Sequence, residues 1–213
     1  MPLHCDGLHG MEGHGAERAL WAGFRQGCSV RHFQHLASGL DVQPLLHAIQ
    51  RQPDIWNGHK FRRTYERTPH GAVDDIWLRY SPDAAGFDEV LQDTAPIWHP
   101  EAQALPQARP LVLSVMGYLG AYSLERLLVT RLAPGRSILP HADTDGAYGN
   151  MPDIARYHVV LQGLPGSLFH CGEETVQMQT GELWWFNAYT SHAVDNRSAD
   201  DRIHMLVDCR IWT

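Results

Sequence analysis

Residues Leu139–Gly149, LPHADTDGAYG, place a His-x-Asp pair, His141 and Asp143, and a second acid, Asp145, between Pro140 and two glycines. His and Asp are also ordinary turn residues, so this stretch alone reads more readily as a polar loop than as a ligand cluster. Two side chains two positions apart project from the same side of an extended segment. His192, in YTSHAVDN, lies several strand-like runs later and joins them only if the intervening strands fold back. Two imidazoles and one carboxylate on one face of a metal, with about three positions left open, is the arrangement that holds non-haem Fe(II) in oxygenases. Arg202, in DRIHMLVD, follows on the next strand-like run. A buried arginine there would grip a carboxylate through a two-pronged contact, whereas an exposed one would pair with Asp200 or Asp201. Ligating histidines must be neutral, so metal binding is expected to weaken as pH falls toward about 6.5.

A chain of 213 residues, 44% hydrophobic and 19% charged, has room for one globular domain with a sizeable core. Its 17 Lys+Arg against 24 Asp+Glu give a net charge of −7, which repels a phosphate backbone, so nucleic acid is not an expected partner. No apolar run is long enough to span a membrane, and the first residues, MPLHCDGLHGMEGHGAER, lack the apolar stretch of a secretory signal. The expectation is a cytoplasmic protein. Cys5, Cys28, Cys171 and Cys209 are scattered with no C-x-x-C pair, which suits reduced thiols.

Residues 1–28 are rich in Gly and His without a sustained apolar period and read as a flexible tail, in which His4, Cys5, His9 and His14 could collect a stray metal. Residues 29–125 read as supporting helices and strands of the same domain. LDVQPLLHAIQRQPDIW predicts a helix capped by Asp41, with Pro44 in its first turn, Leu45, Leu46 and Ile49 as its apolar stripe, and Pro53 just beyond. AVDDIWLRY alternates as a half-buried strand, with Ile76, Leu78 and Tyr80 on one face and Trp77 and Arg79 on the other. FDEVLQD predicts a short helix, and PLVLSVMGYLGA a longer one with Leu111, Val112, Val115, Met116 and Leu119 at the helical interval. From Arg126 to the end, short β-branched and aromatic runs separated by Gly, Pro and Asn predict a β-sandwich or barrel, residues 126–213, with helices outside it. The expected fold class is mainly β: a double-stranded β-helix, jelly-roll and cupin-like, on N-terminal helical support.

Taken together, RLAPGRSILPHAD, RYHVVLQG, GELWWFN, SHAVDN and DRIHMLVD resemble the aspartyl/asparaginyl β-hydroxylase branch of the Fe(II)- and 2-oxoglutarate-dependent dioxygenases. The resemblance is clear over about 126–208 and looser from about Val30. It implies that His141, Asp143 and His192 ligate iron, and that Arg202 holds the distal carboxylate of 2-oxoglutarate with the Thr130 hydroxyl beside it. It also implies that Arg156 and His158 lie near the co-substrate's metal-chelating end. Some members of that family lack a carboxylate at the Asp143 position; its presence favours hydroxylation over halogenation. The implied cofactors are Fe(II), 2-oxoglutarate and O2, and the implied reaction hydroxylates an amino-acid side chain, free or in a peptide, with release of succinate and CO2.

Other polar residues have two readings each. Asp145 could orient a ligating His or simply cap its loop; His170 and His204 read as hydrogen-bonded barrel histidines; and Trp184, Trp185 and Phe186 read as core. His70 and Arg79 lie on a segment that could lean over the barrel mouth, where Arg79 would bind an acidic group of the substrate. Two further functions remain open on the residues alone: a cupin-like isomerase or hydrolase using zinc or manganese, and a non-catalytic β-helix used as a binding module.

Overall fold

The computed structural model describes residues 32–66, 68–82, 96–143 and 154–212. The expected tail, the FDEVLQD helix and Asp145 lie outside them. The described strands, in chain order, are β1 (Phe33–Ala37), β2 (Val73–Tyr80), β3 (Ile97–Trp98), β4 (Ala121–Leu132), β5 (Ser137–His141) and β6 (Ile154–Gln162), followed by β7 (Ser167–Cys171), β8 (Glu174–Val176), β9 (Leu183–Phe186), β10 (His192–Asn196) and β11 (Arg202–Ile211). They form a seven-stranded sheet in the order β1-β9-β6-β11-β4-β2-β3 and a four-stranded sheet in the order β5-β10-β7-β8, with antiparallel pairing throughout. From β4 onward the chain passes repeatedly between the two sheets, which is the winding of a jelly roll. The expected fold class is the observed one.

The period-two alternation of strand side chains divides the large sheet into two chemically different faces. On one face Ile76, Leu127, Val129, Tyr157, Val159, Ile203, Met205 and Val207 are all buried against two helices, α1 (Gln43–Gln50) and α4 (Ala108–Leu119). Two four-residue helices, α2 (Phe61–Thr64) and α3 (Glu101–Ala104), lie between these in the chain. The other face looks toward the small sheet across a second apolar cluster that includes Leu132, Val160, Phe169, Phe186 and Val194. Interleaved with those residues on that inner face are Thr130, His158, Arg202, His204 and Asp208, all buried.

Helix α1 buries Leu45, Leu46, Ala48 and Ile49, as its period predicts, but begins after Val42 with no side-chain cap, so Asp41 does not cap it. Helix α4 ends at Gly120, whose φ of 65 is the left-handed conformation that glycine adopts without a Cβ clash. Strand β2 departs from the half-buried expectation: Ile76, Trp77, Leu78 and Tyr80 are all buried, because Phe61, Leu128 and Leu206 pack with Trp77 and Tyr80, and His59 stacks on Trp77, on what would otherwise be its open side. Its alternation also breaks. Trp77 pairs with Leu128, yet Arg79 pairs with Leu127, so an irregularity between them carries Arg79 off the face that Trp77 occupies.

Leu161 is fully buried under the helices. Leu161→Ala should lower stability by about 2–5 kcal/mol in urea titration, whereas Leu139→Ala, at a position 58% exposed, should change it by less than about 0.5 kcal/mol.

Candidate metal and anion site

The two histidines of the triad meet because their strands are neighbours. β5 and β10 run antiparallel with His141 directly opposite His192, and the two rings lie 4.2 Å apart. Asp143, just beyond β5, is anchored by its backbone N–H, which donates to the Ala188 carbonyl at 2.8 Å. A nitrogen of each histidine and one oxygen of Asp143 all fall within 4.8 Å of one another.

Hydrogen bonds fix which atoms are presented. Nδ1 of His141 donates to the Leu139 carbonyl at 2.8 Å, and Nδ1 of His192 to the Thr190 carbonyl at 2.9 Å, so the lone pair of each neutral ring is on Nε2. Arg156 donates to Oδ2 of Asp143 at 2.9 Å, leaving Oδ1, which lies 3.8 Å from Nε2 of His141. Donors bound to one ion at about 2.1 Å sit roughly 3–3.5 Å apart, so small movements would close this set on a metal. The residues fit a divalent iron bound by two nitrogens and one oxygen.

Burial favours the neutral form of both triad imidazoles. Desolvation pushes His192 down to about 4, and it lowers His141 in spite of the opposing Leu139 and Asp143 contacts. Metal binding should therefore persist well below pH 6.5, the value expected from an unperturbed imidazole.

Beside the triad lies a cavity whose lining includes Arg62, His70, Thr130, Arg156, His158 and Arg202. Arg156 spans two carboxylates, since besides Asp143 it donates from Nε and NH2 to Asp208 at 2.9 and 3.0 Å. Arg62 donates to both oxygens of Asp75 at 2.9 and 3.0 Å. Arg202 differs: it is 3% exposed, and no carboxylate among the described residues lies within ion-pair distance of it. Neither Asp200 nor Asp201 pairs with it, and Asp201 instead approaches Arg131 at 3.8 Å. Arg202 stands over the Phe169 ring and donates to Nδ1 of His204 at 3.1 Å, and burial lowers its pKa to about 9. A guanidinium cation buried this way calls for an anion.

His204 is not the fully hydrogen-bonded barrel histidine expected. Arginine can only donate, so Nδ1 of His204 accepts, its proton sits on Nε2, and Nε2 is buried with no partner among the described residues. Nδ1 of His158 lies 3.1 Å from the same acceptor and must donate to it. Burial and the Arg202 charge lower both histidines well below the usual imidazole range.

The structure thus brings His141, Asp143, His192, Arg202, Thr130, Arg156, His158 and His70 to one place. The ring of His70 lies 4.8 Å from His141, and its Nδ1 is buried with no partner among the described residues. Arg79 is elsewhere: the strand irregularity turns it to the Leu124 carbonyl, to which Nε donates at 3.1 Å, and to the Trp98 ring. Arg62 was not foreseen. FRRT holds two adjacent arginines, and only the α2 backbone decides that Arg62 meets Asp75 while Arg63 meets Asp74. A larger cavity of about 300 Å³, lined by Leu78, Leu105 and Val112 among others, lies on the opposite face of the sheet and contains no triad residue.

The buried histidines set the acid stability of the metal-free chain. Unfolded imidazoles take up protons near pH 6.5, whereas folded His192 does so only near 4 and His158 and His204 well below their usual range. Between those values the unfolded state binds more protons, so stability must fall as pH drops from about 6.5 toward 4, by up to about 1.4 kcal/mol per pH unit for each such histidine. Urea midpoints of the metal-free chain measured from pH 8 to 4 should be flat above about 7 and fall below about 6.5.

Comparisons with known proteins agree with this site. A sequence model of the aspartyl/asparaginyl β-hydroxylase family matches residues 56–211. Among solved structures, a prolyl hydroxylase from Trichoplax adhaerens, in complex with a hypoxia inducible factor oxygen degradation domain peptide fragment, superposes with a TM-score of 0.53 at 11% identity, covering 84% of this chain and 83% of that one. The non-heme alpha ketoglutarate dependent epimerase SnoN from nogalamycin biosynthesis gives 0.51 at 15% identity, covering 92% and 82%. These two likenesses speak for the fold. No curated protein matches the sequence. On the family match, which spans the triad and the three arginines of the cavity, the chain belongs to the aspartyl/asparaginyl β-hydroxylase family and is an Fe(II)- and 2-oxoglutarate-dependent oxygenase.

Proposed function

We propose that the enzyme hydroxylates an amino-acid side chain, in a small amino-acid derivative or at an aspartyl or asparaginyl residue of a peptide, and converts 2-oxoglutarate to succinate and CO2. The observation that carries the co-substrate reading is Arg202, a buried cation with no carboxylate partner among the described residues, in the cavity beside the His141, Asp143 and His192 cluster. A water-activating zinc or manganese centre would have no use for that cation. When bound, Fe(II), 2-oxoglutarate and O2 would supply the oxidising chemistry that replaces C–H by C–OH, one oxygen atom of O2 entering the product and the other the succinate.

The chain's own part is to bind, orient and exclude. His141, Asp143 and His192 would hold the ion from one side, with Arg156 keeping Asp143 turned and singly coordinating through Oδ1. Arg202 would bind the distal carboxylate of the co-substrate, with Thr130 beside it, while Arg156 and His158 flank the end nearer the metal. Phe169, Phe186 and Val194 keep that end of the cavity apolar, which strengthens the guanidinium–carboxylate attraction. His70, next to His141 with an unpartnered Nδ1, takes the substrate-facing position expected of Arg79. Peptides and small molecules both suit a site of this kind, and no helix among the described residues is long and apolar enough to cross a membrane.

Anaerobic addition of Fe(II) and 2-oxoglutarate should give a visible charge-transfer band, which His141→Ala abolishes. Arg202→Met should keep the iron but raise the KM for 2-oxoglutarate on the order of 100-fold, measured by succinate release. Mass spectrometry of candidate amino acids and peptides should find one product heavier by a single oxygen. A protein that shows no band and forms no succinate would defeat the proposal.

A further inference from the structure

A second group of metal-ligating side chains lies away from the triad. Ring nitrogens of His59 and His99 and a carboxylate oxygen of Glu101 fall within 4.8 Å of one another. Both segments that carry them are tied to β2. On one side Asn57, at a φ of 62, donates its backbone N–H to the Asp75 carbonyl at 2.8 Å and accepts the Asp75 N–H on its side chain at 3.2 Å. On the other, the His99 N–H donates to the Leu78 carbonyl at 3.0 Å. His59 stacks on Trp77 with ring centres 4.7 Å apart and meets the His99 ring edge-on at 4.4 Å.

Three features mark this group as more than a chance neighbourhood. Nε2 of His99, on a residue only 4% exposed, donates to the Ser81 carbonyl at 3.1 Å, which puts its lone pair on Nδ1 in the manner of a metal-bound imidazole with a fixed tautomer. Oε2 of Glu101 is buried with no hydrogen-bond partner among the described residues, while Oε1 stands 3.7 Å from Nε2 of His59, too far for a hydrogen bond but close to the spacing of two ligands on one ion. The position of Gly58 leaves room for that carboxylate, since a Cβ there would come within 2.6 Å of Oε1. A buried carboxylate oxygen with no donor is costly unless a cation meets it.

We infer that His59, His99 and Glu101 form a second, non-catalytic divalent metal site that takes zinc. Two imidazoles and a carboxylate are a common zinc set, and a water would complete the tetrahedron. The ion would clamp the 57–60 loop to the 99–101 turn across Trp77. It would thereby fix the start of the segment that delivers Arg62 to Asp75.

The test is an anaerobic titration with Co²⁺, a spectroscopic stand-in for zinc, on the full chain carrying His4→Ala, His9→Ala and His14→Ala to remove the other histidine-rich segment. That protein should bind two equivalents. Adding His141→Ala should leave one, which keeps tetrahedral d–d bands. Adding Glu101→Gln instead should also leave one, with the Fe(II)–2-oxoglutarate band intact, and combining His141→Ala with Glu101→Gln should leave none. His59→Asn, which keeps the carboxylate, should behave as Glu101→Gln does. Uptake of a single equivalent that His141→Ala removes, or of two equivalents undiminished by both Glu101→Gln and His59→Asn, would overturn the inference whether or not the catalytic site behaves as proposed.

Discussion

Three guanidinium groups lie against the inner face of the large sheet, in a medium that solvates charge poorly, and the position of every charged group around them follows from how each is neutralised. Arg62 meets Asp75, and Arg156 meets both Asp143 and Asp208. Arg202 has no carboxylate within reach among the described residues, although the three aspartates equal the three arginines in number. Counted as ionised, those six groups cancel, so a divalent ion on the triad leaves two positive charges in the cavity. A dicarboxylate supplies the matching negative charge. The arrangement is poor for a protein that binds nothing, because an unpaired buried cation costs several kcal/mol, and natural for one that waits for a dianion.

Strand alternation makes this charge arrangement compatible with a stable fold. Along β11 the odd-numbered Ile203, Met205 and Val207 enter the apolar layer under the helices, while Arg202, His204 and Asp208 turn to the inside. β6 does the same, with Tyr157 and Val159 outward and Arg156 and His158 inward. The apolar face secures the sheet against α1 and α4, so the inner face can carry polar groups that would otherwise weaken the core. The small sheet then supplies the ligands, and because His141 and His192 are opposite each other on paired strands, the distance between them is set by the ladder.

Arg156 links the two sets. It holds Asp208 on β11, at the centre of the large sheet, and Asp143, on the loop that leaves the small sheet, so the carboxylate that would serve the metal is oriented by a residue outside the triad. The backbone carbonyls of Leu139 and Thr190 do the same for the imidazoles. Each ligand thus has an outer partner that fixes its tautomer or rotation, an arrangement that raises affinity by reducing what must be ordered on binding.

Much of this was legible in the sequence because it is local or periodic. The H-x-D spacing puts two ligands on one side of an extended segment, the turn-separated short runs give a jelly roll, and the apolar intervals mark α1 and α4, since all of these depend on near neighbours in the chain. What the tertiary structure alone decided depends on register and on contacts between distant segments. An irregularity in β2 sends Arg79 away from the cavity that simple alternation would have given it, and the backbone of α2 chooses Arg62 over Arg63 for the interior. The lack of an aspartate beside Arg202 among the described residues, the shared acceptor at His204 and the meeting of His59 with His99 and Glu101 are likewise invisible in a linear pattern. Residue type says which charges a chain has; only packing says which of them have lost their water and which have found a partner.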